Sequence, residues 1–450
     1  MAVLFRHEAP LPSLPTRTGS TTASTPRTPA AAPTGRVVSI EQIIQQRLVT
    51  AEFQPIVRLS TNEVVAYEAL ARGPADSQYG SPGMMFAAAS GLGMVGDLDV
   101  VAHSAAYWAA LNGSKVLSLP LFVNADPAGL LAPVPEDLQE VVRSALTTLH
   151  VFMEVSERSV VADPVGSLVA MEYARRAGWR LSLDNVGASP AGLSLLPYLQ
   201  PDVIKMDMSL VTRDADIESV RIMSGLAAHV EATGAVLAAQ GIETDGHRNG
   251  AIGMGALRGQ GYSFGRPLTL PVDGAQTGEP YRPGRTFEEP DTSYSPFLSL
   301  KRTGRQPTPA PAATVRALGL HLDSVVAAGG EPVVVTMCDG LGLSGSVYGE
   351  LRNLVRRASM TMMLTQGPAT RVVPGLETAE LAADDPLQGE LVLAITGPHL
   401  AAMLTVRRSE APDSGGDWEY YLTYDRPAVI RASRGMLHRV VLASLPDPAG

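Results

Sequence analysis

Three short apolar runs, each ending in polar residues, constrain this chain more than any other feature. Arg180-Leu-Ser-Leu-Asp184-Asn185 ends in an acid and an amide. Val203-Ile-Lys205-Met-Asp207 ends in a cation and an acid, and Ala235-Val-Leu-Ala-Ala-Gln240-Gly-Ile-Glu243 in an amide and an acid. Near-continuous apolar runs of this length read as strands buried on both faces. Polar groups gathered at the carboxyl ends of such strands mark a parallel β/α barrel, whose loops at that end build the site.

The flanking sequence repeats the pattern. Glu52–Leu59 and Val64–Leu70, joined by Thr61-Asn62-Glu63, read as a β-hairpin. Leu119–Asn124 and Val151–Val155 read as further strands, and Met84–Ala89, Leu98–Leu111, Glu136–Leu149, Gly166–Ala177, Leu193–Leu199 and Glu218–Ala232 as helices between them. Alternation across Glu52–Pro267 fits a barrel ahead of a doubly wound open sheet. Gly91-Leu-Gly93-Met-Val-Gly96 matches a dinucleotide-binding pattern by letter, but it follows a helical run instead of a strand and is discounted.

At 450 residues the chain is long enough for two domains. Residues 1–36 are rich in Thr, Pro, Ala and Ser and read as a disordered tail, 37–270 as the barrel, and 271–294 as a linker. Residues 295–445 read as a smaller α/β domain, with strands at Pro332–Cys338, Met360–Thr365, Leu391–Thr396, Met403–Arg407 and Glu419–Thr423. Its helices are expected at Val315–Ala328, Tyr348–Ala358 and Ala428–Ala443, and Arg305–Ala313 as a Pro-rich loop.

Net charge −10 argues against a nucleic-acid polymer as partner. The single cysteine, Cys338, leaves no intrachain disulfide and fits a reducing, cytoplasmic setting, and no run is long and apolar enough to span a membrane. His229 on its helix reads as structural. Thirty-two Arg against three Lys make Lys205, inside an acidic strand end, the more informative.

Collected in order, the strand-end groups are Glu68, Asn124, Glu154, Asp184, Asp207 and Glu243, with Lys205 beside them. Taken singly, each is as readily a helix cap. Five carboxylates and an amide at one mouth repel unless cations sit there, and oxygen-rich sets of this kind suit Mg or Mn. Two such ions activate water and clamp a phosphodiester.

Tyr67-Glu68-Ala69-Leu70-Ala71-Arg72 resembles the signature of the EAL domain, the cyclic di-GMP phosphodiesterase family. Gln54-Pro-Ile-Val, Phe122-Val-Asn124, Glu154-Val-Ser-Glu157, Lys205-Met-Asp207 and Gln260-Gly-Tyr262 are similar to its further motifs, in the family's order, over Ile40–Leu270. The resemblance implies a TIM-type β/α barrel with one strand antiparallel and a two-metal site for Mg or Mn. Its metal ligands would be Glu68, Asn124, Glu154, Asp184, Asn185 and Asp207. Lys205 would hold the attacking water, and Gln54, Arg72 and Gln260 would contact the nucleotide. It also implies cyclic di-GMP as partner and a possible homodimer through the barrel.

Two departures stand at that site. The family's Asp-Asp pair is here Asp184-Asn185, and the first Glu of its Ala-Glu-Gly-Val-Glu is Gln240. An amide brings no charge to a metal and takes no proton at neutral pH. Losing a base costs on the order of 10²–10⁴ in rate. The second ion is therefore expected to be weakened, and the barrel to act as a catalytically impaired receptor or effector. The alternative is an active phosphodiesterase producing linear pGpG, with Glu243 or Glu157 as base. Ser295-Pro-Phe-Leu, Tyr348, Asp384–Glu390, Gly397-Pro-His399 and Thr423–Arg426 resemble, more sparsely, a sensory domain of the DICT type, with an unknown ligand or protein partner.

Overall fold

The computed structural model describes residues 38–112, 118–212, 216–269, 289–328, 330–338, 352–367, 373–410 and 417–446. The expected tail, residues 271–288 of the expected linker and the first part of the expected helix Tyr348–Ala358 lie outside these residues.

The alternating runs fold into a closed eight-stranded barrel. Its strands are β1 (Thr50–Arg58), β2 (Val64–Arg72), β3 (Leu121–Asn124), β4 (Val151–Ser156), β5 (Arg180–Val186), β6 (Val203–Met206), β7 (Val236–Ala239) and β8 (Arg258–Gln260). β1 is antiparallel to both neighbours, β2 and β8, and the remaining pairs are parallel. The barrel is thus of the TIM type with one strand reversed. The reversal follows from the tight turn at Thr61–Glu63, too short for the helical crossover that a parallel pair requires.

Its helices are α1 (Ile40–Gln45), α2 (Pro82–Gly91), α3 (Val95–Asn112), α4 (Pro127–Leu131), α5 (Glu136–Thr148), α6 (Glu157–Ala162), α7 (Pro164–Arg176), α8 (Pro190–Leu199), α9 (Met208–Thr212), α10 (Ile217–Thr233) and α11 (Asp245–Gly253). Alternate strand residues point inward. Ile56, Ala66, Phe122, Phe152, Val203 and Ala238 plug the lumen, with the rings of Phe122 and Phe152 stacked 4.6 Å apart. Two residues toward the site, earlier in the reversed β1 and later in the other strands, the inward positions turn polar: Gln54, Glu68, Asn124, Glu154, Lys205 and Gln240. The plug is the floor of the site.

Residues 289–446 build a second α/β unit on a seven-stranded sheet. Among the described residues its helices include α12 (Pro296–Arg302), α13 (Ala312–Ala328) and α14 (Arg426–Ser444). Its strands are β9 (Thr308–Ala310), β10 (Val333–Cys338), β11 (Met360–Thr365), β12 (Glu377–Glu380), β13 (Glu390–Thr396), β14 (Ala401–Arg408) and β15 (Trp418–Thr423). The order is β12-β11-β10-β13-β14-β15-β9. The expected loop at Arg305–Ala313 is corrected here: it contains edge strand β9, where Pro309 needs no ladder donor.

α14 lies between this sheet and the barrel, packing on β10, β13 and β14 on one side and on α7 and α8 on the other. One apolar core runs through all of them. Glu289 adds a polar tie, 3.0 Å from Arg176 Nη2 on α7 and 3.3 Å from His438 Nε2 on α14. Among the described residues no helix is long and apolar enough to cross a membrane.

Candidate functional site

Lys205 stands at the centre of the polar layer and is 1% exposed. Its ammonium lies 2.9 Å from Glu68 Oε2 and 2.6 Å from Glu154 Oε1. Below it is the face of Phe122, with Nζ 5.3 Å from the ring centroid. A buried ammonium is tolerated only when paired. Burial works against its charge, but Glu154, Glu68 and Asp184 outweigh this and hold the Lys205 pKa above its ordinary value.

The remaining polar groups arrange themselves around this cation. Glu68 accepts from Asn124 Nδ2 at 2.8 Å and from Gln260 Nε2 at 2.7 Å. Burial would raise its pKa, but Lys205 and these amides bring it below the usual carboxylate value. Gln260 also donates to Gln54 Oε1 at 2.9 Å, and Gln54 Nε2 donates to the Gly265 carbonyl at 3.0 Å. Gln54 and Gln260, expected at the nucleotide, therefore form a buried amide chain leading into the acid cluster.

Glu154 is the strained member. Burial pushes its pKa well up, Lys205 pulls it down, and the charges of Glu68 and Asp184 push it up again. Its Oε2 is buried and accepts no hydrogen bond from the described residues. The carboxyl of Asp184 faces the Glu154 carboxyl, acid against acid. Asp184 too is raised, first by burial. Two carboxylates this close share a proton or a cation.

The two departures from the acidic pattern meet on Asp184. Gln240 Nε2 donates to Asp184 Oδ1 at 2.5 Å, and Asn185 Nδ2 donates to Asp184 Oδ2 at 2.5 Å. Where acids would repel, amides complete the shell. Asn185 has φ 55, a left-handed conformation that Asn and Asp adopt more readily than other side chains.

Glu157 does a different job from the one expected of a spare base. Its carboxylate accepts from Gly187 N, Ala188 N, Ser189 N and Ser189 Oγ at 2.6, 3.1, 2.9 and 2.7 Å. It pins the turn between Asn185 and α8 and has no lone pair left for water. Gly192 permits this approach, since a Cβ there would sit 2.2 Å from Glu157 Oε1.

Three expected site residues stand apart. Asp207 caps α9, accepting from Ser209 N at 2.8 Å, and makes no hydrogen bond or ion pair with the cluster. Glu243 is exposed and likewise makes none with it. Arg72 is paired with Glu52 at 2.8 Å across the hairpin. Among the described residues no three Asp, Glu, His or Cys side chains converge as a ready cation cage. The residues fit one hard cation between Glu154 and Asp184, whose unpartnered oxygen and facing acids call for one. A second ion would find fewer donors, because the Asn185 amide is turned to Asp184 and the Asp207 carboxylate to Ser209 N.

Sequence reasoning missed Asp99 and His103. Both are buried on α3, four residues apart, with Asp99 Oδ2 3.5 Å from His103 Nε2. His103 Nε2 lies 2.8 Å from the Asn124 carbonyl, and Asp99 accepts from Asp126 N at 2.7 Å. Burial raises Asp99 to about 6, against the pull of His103. The pair fixes the backbone that aims Asn124 at Glu68. The available signal was two polar residues at i, i+4 inside an otherwise apolar helical face.

The family model of the EAL domain matches residues 38–267, half of the chain. The chain belongs to the EAL family. The probable cyclic di-GMP phosphodiesterase PdeB of Escherichia coli (strain K12) is 26% identical over 236 residues, covering 51% of this chain and 44% of that protein. Among solved structures, a manganese/cy-diGMP complex of Klebsiella pneumoniae BlrP1 is 28% identical, with TM-score 0.40, over 49% of this chain and 56% of that one. The FimX EAL domain of Pseudomonas aeruginosa bound to c-di-GMP is 20% identical, with TM-score 0.43, over 51% and 95%. This EAL chain spans less than half the length of the first curated relatives it matches.

Proposed function

We propose that this EAL protein is a cyclic di-GMP receptor whose barrel is catalytically impaired. The observation that carries the reading is the pair of amides on Asp184. Gln240 and Asn185 occupy both of its oxygens with N–H donors. Neither amide accepts a proton at neutral pH, and of the two alternative bases Glu157 is saturated by four donors and Glu243 is exposed and makes no hydrogen bond or ion pair with the cluster. The nucleotide would be met by Gln54, Gln260 and Arg72, the last once it leaves Glu52.

Within this reading Lys205 holds the acid cluster together from inside. A Mg or Mn ion would be held by Glu154 and Asp184, with Glu68 and the Asn124 amide oxygen beside them, and when bound it supplies a Lewis acid for a phosphodiester oxygen. A second ion would be weakened. The division into a barrel at 37–270, a linker at 271–294 and a DICT-like sensory domain at 295–445 belongs to the same reading. So do a cytoplasmic location and a possible homodimer through the barrel. The second reading, an active phosphodiesterase yielding pGpG under sensor control, is favoured by one feature only, the unpartnered Glu154 Oε2.

Chromatography of cyclic di-GMP after long incubation with Mn separates the two. The natural chain is expected to return the dinucleotide intact while binding it in calorimetry. Asn185→Asp with Gln240→Glu is expected to release pGpG, faster by on the order of 10²-fold or more. Asp tolerates the left-handed backbone at 185 as Asn does, so the variant keeps its fold. Many turnovers by the natural chain, or no gain in the double variant, would sink the proposal.

A further inference from the structure

Apart from the barrel, the described residues of the second sheet leave an apolar cavity open on the face that points away from α14. β13 is the middle strand of seven. On the α14 side Val392 and Ala394 are buried, at 3% and 1% exposure. On the other side Leu391 and Leu393 of the same strand are only partly buried, although they lie in one apolar cluster with Leu404 and Val406 of β14. Among the described residues α13 crosses this face without closing it, and leaves a cavity of about 280 Å³ over these four side chains.

The middle of α13 keeps the space open. Gly319 lines the cavity, and a Cβ added to it would meet nothing within 4 Å. Glycine in a helix interior costs about 1 kcal/mol relative to alanine, and here no close approach demands it. Thr336, also in the wall, spends its hydroxyl on the Val392 carbonyl at 2.8 Å. The lining therefore has little to offer a polar ligand except at its mouth.

Two charges stand at that mouth, Arg316 and Asp323. Arg316 is one helical turn before Gly319, on the same face. It makes no hydrogen bond or ion pair with the described residues, whereas Asp323 already has a partner. The volume matches roughly nine waters at ~30 Å³ each. We propose that this cavity binds a small aliphatic monocarboxylate of about that many non-hydrogen atoms, with its chain over Leu391, Leu393 and Leu404 and its carboxylate on the Arg316 guanidinium.

The test uses the full-length chain and calorimetric titration with octanoate, 1-octanol and octylamine, each below its micellar concentration. Octanoate is expected to bind tightest and octylamine weakest. Arg316→Ala is expected to weaken octanoate about tenfold, the loss of a charged hydrogen bond, and to leave octanol unchanged. Gly319→Leu is expected to abolish binding of all three, with far-ultraviolet circular dichroism unchanged. Should Gly319→Leu fail to fold, the Arg316→Ala comparison still decides. The proposal is overturned if octanoate gives no binding heat, if octylamine binds as well as octanoate, or if Arg316→Ala leaves the octanoate-to-octanol ratio unchanged. Cyclic di-GMP titrated into the same variants reports on the barrel alone, so failure here leaves the receptor reading standing.

Discussion

Lys205 turns a set of acids into a stable site. Its contacts with Glu68 and Glu154, at 2.9 and 2.6 Å, are made where water cannot assist. Removing one partner of a buried pair leaves an uncompensated charge and costs about 3–5 kcal/mol. Lys205→Met is therefore expected to destabilise the chain by that order at neutral pH, measured by urea denaturation. The loss has a sign in pH. Without the ammonium, both acids have folded-state pKa values above their unfolded ones, so they hold protons that the unfolded chain releases. Stability of the variant should rise as pH falls from neutral through the carboxylate range, narrowing the gap to the natural chain. A gap that stays constant with pH would show that Lys205 acts by packing and not by charge.

The turn between β5 and α8 is where an element's geometry rests on one side chain. Glu157 satisfies three successive backbone N–H groups, at Gly187, Ala188 and Ser189. Glu157→Gln keeps the volume but replaces a charged acceptor with an amide that has one acceptor oxygen. We expect a loss of about 1–3 kcal/mol in local protection, read as faster hydrogen exchange at 187–189 with slower-exchanging β6 amides unaffected. Uniform acceleration across the barrel would instead mean that Glu157 supports the whole fold. The strands framing this turn were legible in sequence, because buried parallel strands are apolar on both faces and end in polar residues. The roles of those polar ends were not. Asp207 and Asp184 both terminate apolar runs, yet one caps a helix and the other enters the cluster. Strand-end acids serve either purpose, and only the register of neighbouring strands decides. β9 and β12 were illegible for another reason: Thr-Pro-Ala and Glu-Thr-Ala-Glu are edge strands and carry the polar, Pro-containing sequence that edges require.

At the scale of the molecule, the barrel and the second unit are joined by a buried junction that contains unpaired polar groups. Tyr198 of α8 and His229 of α10 lie near Arg426 of α14, and Tyr198 also near Ser433 of α14 and Thr396 of β13. His229 Nε2 is buried without a hydrogen-bond partner among the described residues. Burial, and then the Arg426 charge, lower its pKa from 6.5 to about 4. A histidine whose folded pKa is depressed is protonated first in the unfolded chain. Its contribution is therefore intact above about pH 6.5, is lost as pH falls toward about 4, and changes no further below that. At about 1.4 kcal/mol per pH unit, the span amounts to roughly 3 kcal/mol. Asp99, raised to about 6, works in the opposite direction over much of the same range, so the total stability of the natural chain conceals both. The difference between the natural chain and His229→Gln isolates the junction. That difference is expected to shrink by up to roughly 3 kcal/mol between pH 6.5 and 4. Because one apolar core runs from the barrel through α14 into the second sheet, the loss should appear in a single unfolding transition shared by both units. A barrel transition that ignores His229 while the second unit melts separately would show that the junction is a contact between independent bodies.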